Sequence, residues 1–279
     1  MVSFKKLFSA ALMATSAVAM ATPRAGHHPH AHAHVRRGGS SGSSMKKQGA
    51  AYNDASAVQA LGNGVGWAYN WASSPDGSIP DGVEYVPMLW GTKTLTQFLS
   101  GIEALLGGKD VKYVMAFNEP DINNQASLAA TQAISLFKKF LSPYSGRVKL
   151  VSPCVTNSPQ QGQGLSWLTE FLGGCSDCGV AALAVHWYGD SVDDFTKFVK
   201  ESMDLASKHN IPEVWVTEFA LNQDTAQQGS DQHSADFIRQ ARSFLDKQDM
   251  VTRYAYFWAQ NNFLVQGNQP SVAGQAYIE

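Results

Sequence analysis

Two stretches decide the fold: ALAVHWY (182–188) and VWVTEF (214–219). Each is a short run of Ala, Val and aromatic residues that stays apolar at odd and even positions. A strand with one wet face alternates apolar and polar residues, whereas a strand covered on both faces does not. Between the two runs, Phe195, Phe198, Val199 and Ala206 follow a helical period. Strand, helix and strand in that order make a βαβ unit with a parallel sheet. Outward from this unit the beat continues. KLVSPCV (149–155) and YVMAFNE (113–119) precede it and YAYFWA (254–259) follows. EYVPMLW (84–90) and GVGWAYN (64–70) lie further upstream. Helical stripes fall between them: Leu95, Phe98, Leu99, Ile102 and Leu106; Ala130, Ile134, Phe137 and Leu141; Ile238, Ala241 and Leu245. Seven strands with covering helices predict a compact α/β fold, a (β/α)8 TIM-type barrel. The eighth strand is expected as an abbreviated second strand within 71–82, where turn residues dominate. A doubly wound sheet is the rival, weakened because no Gly-x-Gly-x-x-Gly follows the first strand.

Barrels of this kind carry their chemistry at the C-terminal ends of the strands. Here those ends are polar and aromatic: Trp67, Asn70 and Trp71; Trp90; Asn118 and Glu119; His186, Trp187 and Tyr188; Glu218; Trp258. Glu119 and Glu218 each close an apolar strand, where an unpaired buried charge is costly. Two carboxylates flanking one bond are the requirement of glycoside hydrolysis, one as proton donor and one attacking or activating water. The plainer reading of either Glu is a helix cap or a partner for Arg. Only Arg147, Arg239, Arg242 and Arg253 lie in the domain, so two buried ion pairs are poorly supplied. The tryptophans suit a sugar, whose flat C–H face packs on a ring. Trp167 and Trp215 are expected in the core; two or three of Trp67, Trp71, Trp90, Trp187 and Trp258 are expected to line a groove.

The formal charge of −2 hides two unlike segments. Residues 1–47 hold seven Lys/Arg and no acid; the rest holds 14 basic against 23 acidic residues, a net of −9, and all seven Trp. Such a domain is a poor match for nucleic acid, whose binding rests on cationic neutralisation of phosphate. The leader places Lys5-Lys6 before LFSAALMATSAVAMA, the order of a secretory signal peptide over residues 1–21. Its apolar run of about 15 residues is short for a membrane span, which needs roughly 20. Residues 22–48 form a His-, Ser- and Gly-rich pro-segment or spacer, with dibasic pairs at Arg36-Arg37 and Lys46-Lys47. The catalytic domain is expected over 49–279. In an exported protein Cys175 and Cys178 are best read as a short-loop disulfide with Cys154 free, though pairing of Cys154 with either stays open. His186 has no evident His partner for zinc, and there is no Gly-x-Ser-x-Gly elbow or P-loop. No metal or cofactor is expected.

The blocks GWAYNW (66–71), EYVPMLWG (84–91), AFNEPD (116–121), SPCVTN (152–157), AVHWYG (184–189), VWVTEFA (214–220) and AYFWA (255–259) resemble glycoside hydrolase family 128, the fungal alkali-sensitive-linkage wall proteins. The resemblance covers about residues 49–263. It implies a retaining β-1,3-glucanase with Glu119 as acid/base on the fourth strand and Glu218 as nucleophile on the seventh; endo action is the further expectation. It further implies that Asn118 holds the sugar 2-hydroxyl, that Tyr188 orients Glu218, and that His186 completes the network. Trp258 would floor the site; Trp67, Asn70, Trp71, Trp90 and Trp187 would shape the cleft. The expected partner is β-glucan, and the chain is expected to be a secreted, wall-associated monomer, off the membrane once its signal is removed. Two other functions fit the same residues, a glucan-binding wall protein with little turnover and a hydrolase of another β-glycan.

Overall fold

The computed structural model describes residues 46–108, 111–227 and 231–279. The signal segment and nearly all of the spacer lie outside the described residues. Lys47 and Gln48, counted with the spacer above, belong to the fold. The Lys47 carbonyl accepts from Trp67 Nε1 and Tyr254 N, each at 2.9 Å, and Gln48 bridges Tyr254 in parallel.

β1 (Gly49–Ala51), β2 (Trp67–Tyr69) and β3 (Glu84–Tyr85) form a parallel sheet in that order. β4 (Tyr113–Met115), β5 (Lys149–Val155), β6 (Val180–Gly189), β7 (Glu213–Leu221) and β8 (Val251–Tyr256) form a second parallel sheet, also in chain order, curled into a half-barrel. Isolated parallel bridges, Met88 to Met115 and Gln48 to Tyr254, link the edges of the two sheets. The eight-unit expectation needs two corrections. Residues 71–82 hold no strand, only bends and turns, and no helix joins β2 to β3. The strand missing from the sequence reading is β1, three residues of Gly and Ala with no β-branched or aromatic signal. Its neighbours, not its own propensity, make it a strand.

The other helices fill the connections: α1 (Ala55–Leu61), α2 (Leu95–Gly108), α3 (Ala130–Phe140), α4 (Gly164–Gly174), α5 (Val192–Lys208), α6 (Asn222–Gln227), α7 (Gln232–Leu245) and α8 (Val272–Ile278). α5 starts where Ser191 Oγ accepts from Asp194 N, with Asp193 and Asp194 in its first turn facing the positive end of the dipole. α2 buries Phe98, Ile102 and Leu105, while Leu99, placed in the apolar stripe above, points outward. None of the described helices is long and apolar enough to cross a membrane.

Two apolar layers result. The outer one, between sheet and helices, contains Trp167, Trp187, Phe195, Phe219 and Phe237. The inner one, on the concave side, contains Trp67, Tyr69, Met115, Cys154, Ala184 and Trp215. At its base the Arg253 guanidinium lies 4.4 Å from the Tyr113 ring centre and 4.5 Å from that of Trp215. The same group pairs with Glu84 at 2.8 Å, so the one strongly buried Arg–carboxylate pair among the described residues lies here. Cys175 and Cys178 are disulfide-bonded and Cys154 is a buried free thiol.

Candidate active site

Strand alternation by itself would hide Glu218. Trp215 faces the concave interior, so Glu218, three residues on, would face the helices. β7 carries an extra residue against both neighbours. Val185 pairs with Val216 but His186 with Glu218, and Val216 pairs with Tyr254 but Phe219 with Tyr256. The extra residue at Thr217 is a bulge that re-aims Glu218 inward and returns Phe219 to the outer layer. Glu119 arrives differently. It follows β4 in a left-handed backbone conformation, φ 41°, held by its N–H donating to the Cys154 carbonyl at 2.8 Å. A non-glycine residue in that region is strained, and such strain collects at functional sites. Trp71, φ 58°, shares the trait.

The two carboxylates meet around His186. One oxygen of each and a ring nitrogen lie within 4.8 Å of one another, all three residues being buried. His186 Nδ1 stands 2.9 Å from Glu119 Oε1 and 3.5 Å from Glu218 Oε2. Three neutral donors hold Glu218: Tyr188 OH at 2.5 Å on Oε2, and Trp71 Nε1 at 2.8 Å and Tyr69 OH at 3.3 Å on Oε1. Burial pushes the Glu119 pKa up, and the charges of Glu218 and Asp121 add to the rise against the opposing pull of His186. Burial opposes charge on His186, but Glu218, Cys154 and Glu119 outweigh it and hold the ring well above its ordinary pKa. Among the described residues this trio is the one set of three His, Cys, Asp or Glu side chains grouped closely enough to hold a cation. Its Nδ1 is already engaged with Glu119, so the arrangement reads as a proton-handling cluster.

The remaining site expectations divide. Asn118 sits beside Glu119, its Nδ2 donating to Gln125 Oε1 at 3.2 Å, with a buried Oδ1 that has no partner. Trp71, Trp258 and Phe257 pack edge to face or stacked around the mouth, Trp71 to Trp258 at 6.1 Å. Trp90 is half-buried, and its carbonyl accepts from Asn118 N. Asn70 braces its own turn, bonded to Tyr85 OH, Ala72 N and the Ser74 carbonyl. Trp67 and Trp187 are corrections, since neither lines a cleft. Trp67 is fully buried at the base, 5.4 Å from Trp215, and Trp187 stacks on Phe237 in the outer layer. Trp67 and Tyr69 share one face of β2 and Trp71 follows two residues beyond it; Tyr69 and Trp71 reach Glu218 and Trp67 does not. That period of two was legible in GWAYNW and would have selected Tyr69, which the sequence reading missed. Also missed were Asp121 and Asn157. Asp121 accepts from Thr156 N and Oγ1 and from Gly164 N; Asn157 clamps the Tyr188 backbone through both its amide atoms.

Residues 49–277 match the family model described as glycosyl hydrolase catalytic core. A crystal structure of a curdlan-specific exo-β-1,3-glucanase of glycoside hydrolase family 128, subgroup III, from Blastomyces gilchristii is 37% identical, with a TM-score of 0.76. The similarity covers 84% of this chain and 98% of that one. This chain belongs to glycoside hydrolase family 128. Within family 128, a subgroup I endo-β-1,3-glucanase from Amycolatopsis mediterranei in complex with laminaripentaose is 26% identical, TM-score 0.68, over 83% of this chain and 98% of that chain. Alkali-sensitive linkage protein 1 of Schizosaccharomyces pombe is 32% identical over 202 residues, 71% of this chain. The match spans only 35% of that relative's length.

Proposed function

We propose that this chain is a secreted, retaining hydrolase of β-1,3-glucan in the fungal wall. The observation that carries the reading is the approach of the two carboxylates, oxygen to oxygen within 4.8 Å. A retaining pair stands about 5–5.5 Å apart, whereas inversion needs about 6.5–9.5 Å to seat a water. Glu119, whose pKa is raised, gives its proton to the departing glycosidic oxygen. Glu218, oriented by Tyr188, Trp71 and Tyr69, attacks the anomeric carbon and forms a glycosyl ester. Glu119 then takes a proton from water, whose oxygen displaces Glu218. Asn118 is assigned to the 2-hydroxyl and Trp258 to the floor beneath the ring. The bridged edges of the two sheets support treating the scaffold as a compact (β/α)8-type barrel whose second unit lacks its helix. Export is supported by the leader, and a wall substrate by the resemblance of the sequence blocks to the fungal alkali-sensitive-linkage wall proteins.

β-1,3-glucan is favoured over other β-glycans because the solved relatives carry that specificity in common. On mode of action the relatives favour exo-cleavage, against the endo expectation: the exo-acting relative is 37% identical and the endo-acting one 26%. The purified chain should release glucose singly from curdlan and laminarioligosaccharides, with the anomeric configuration kept in the first products seen by NMR. Glu119→Gln and Glu218→Ala should each lower kcat by about a hundredfold or more. Glucan binding without any reducing ends released would instead mark a wall-binding protein.

A further inference from the structure

The ring of His186 has one nitrogen accounted for and one not. Nδ1 faces Glu119, but Nε2 is buried, in a residue of zero exposure, and has no hydrogen-bond partner of good geometry. The polar group beneath it is a thiol. Cys154 on β5 pairs in register with Ala184 on β6. Side chains of a strand alternate, so Ala184 and His186 share the concave face, and Cys154 sits one layer below the ring. Cys154 lies in the same inner layer and has zero exposure. Its backbone is committed to the opposite neighbour: its carbonyl receives Glu119 N at 2.8 Å and its N–H donates to the Phe117 carbonyl at 2.9 Å. One residue therefore fixes the acid through its main chain and reaches the acid's imidazole partner through its side chain.

We propose that Cys154 is a positioning residue for proton transfer, its sulfur accepting from His186 Nε2–H so that Nδ1 is presented to Glu119. The proposal rests on the assignment of Glu119 as acid/base. A thiol is a weak acceptor, but a fully buried N–H with no better partner gains from it. The groups facing the ring are Glu119 from the end of β4, Glu218 from β7 and Cys154 from β5. Tyr69 donates to Glu218 Oε1, Tyr188 donates to Oε2, the oxygen nearest the ring, and the charge of Asp121 acts on Glu119. The carboxylates act through Nδ1 and through their charge, and Cys154 is the group that the register sets beneath the ring on the Nε2 side. The interaction favours the protonated ring, and its loss lowers the ring's pKa.

The test is a pair of variants in the full chain, Cys154→Ala and Cys154→Ser, with histidine side-chain 15N NMR and the pH dependence of kcat on a laminarioligosaccharide. In the wild type, the spectra should show Nε2 protonated throughout the titration. Cys154→Ala should lower the midpoint of His186 by about one pH unit, and the alkaline limb of kcat with it, leaving KM within about twofold. Cys154→Ser, which keeps a small acceptor, should restore most of both. A wild-type Nε2 that is bare when the ring is neutral overturns the proposal without needing any variant. So does a folded Cys154→Ala with an unmoved midpoint, or a serine variant no better than alanine. The NMR readout needs no turnover, so a wild type inactive on glucan would remove the proposed reaction and leave the Nε2 result standing.

Discussion

Glu218 receives hydrogen bonds from an indole, a phenol in the core and a phenol at the rim, and none of the three donors is a cation. Neutral donors stabilise the carboxylate without neutralising it, which suits the nucleophile role proposed for Glu218. Trp71→Phe keeps a ring against Tyr69 and Trp258 but deletes the 2.8 Å bond. A hydrogen bond to a charged group is worth about 1.5–3 kcal/mol, so kcat should fall about ten- to a hundredfold with KM little changed. A purely packing role for Trp71 predicts no loss of kcat in that variant. His186 supplies a pH prediction. Its folded pKa lies above the unfolded one, so its stabilisation is complete below about pH 6.5 and is lost as pH rises through the folded value. The Tm gap between wild type and His186→Gln should narrow above neutral pH. A gap that stays constant from acid to alkaline pH contradicts the shift.

At the scale of the element, the bulge in β7 and the start of the chain's fold matter most. The bulge adds one residue and reverses the facing of everything beyond it, delivering Glu218 to the interior. Lys47 closes α7: its ammonium donates to the carbonyls of Leu245, Asp246 and Gln248 at 3.3, 3.2 and 2.9 Å. Leu245 and Asp246 stand at the negative end of the helix dipole and Gln248 lies just beyond it. Lys47→Ala should cost about 1 kcal/mol in urea unfolding and leave glucan cleavage intact. An unchanged unfolding midpoint would return Lys47 to the spacer. Gly164 marks the other junction. It opens α4 at φ 54°, and an added Cβ would meet the Ser158 carbonyl oxygen at 2.2 Å, so only glycine lets Asp121 reach its N–H.

For the whole molecule, the two ends of the curled sheet have separate work. The base is closed by Arg253, Glu84, Trp67, Tyr113 and Trp215; the mouth carries Glu119, Glu218 and His186. Removing a buried large aromatic typically costs about 3–5 kcal/mol. Trp67→Ala should therefore lower Tm by many degrees, while folded enzyme below that temperature keeps its KM for oligosaccharide. A rise in KM with an unchanged Tm would return Trp67 to the cleft.

The sequence by itself determined the parallel βα order, the carboxylates Glu119 and Glu218 and the core placement of Trp167 and Trp215; it favoured the Cys175–Cys178 bond, and the structure closed the alternatives with Cys154. These are local: apolar runs, helical periods and residue types at the ends of elements carry them. What the tertiary structure decided depends on neighbours. β1 is a strand because β2 pairs with it and Tyr254 bridges Gln48 just ahead of it, and Trp67 and Trp187 are core because of the height and face at which β2 and β6 set them. Most of all, alternation counted along β7 from Trp215 points Glu218 away from the site. Only the unequal register with β6 and β8, a property of three strands together, turns it to face Glu119.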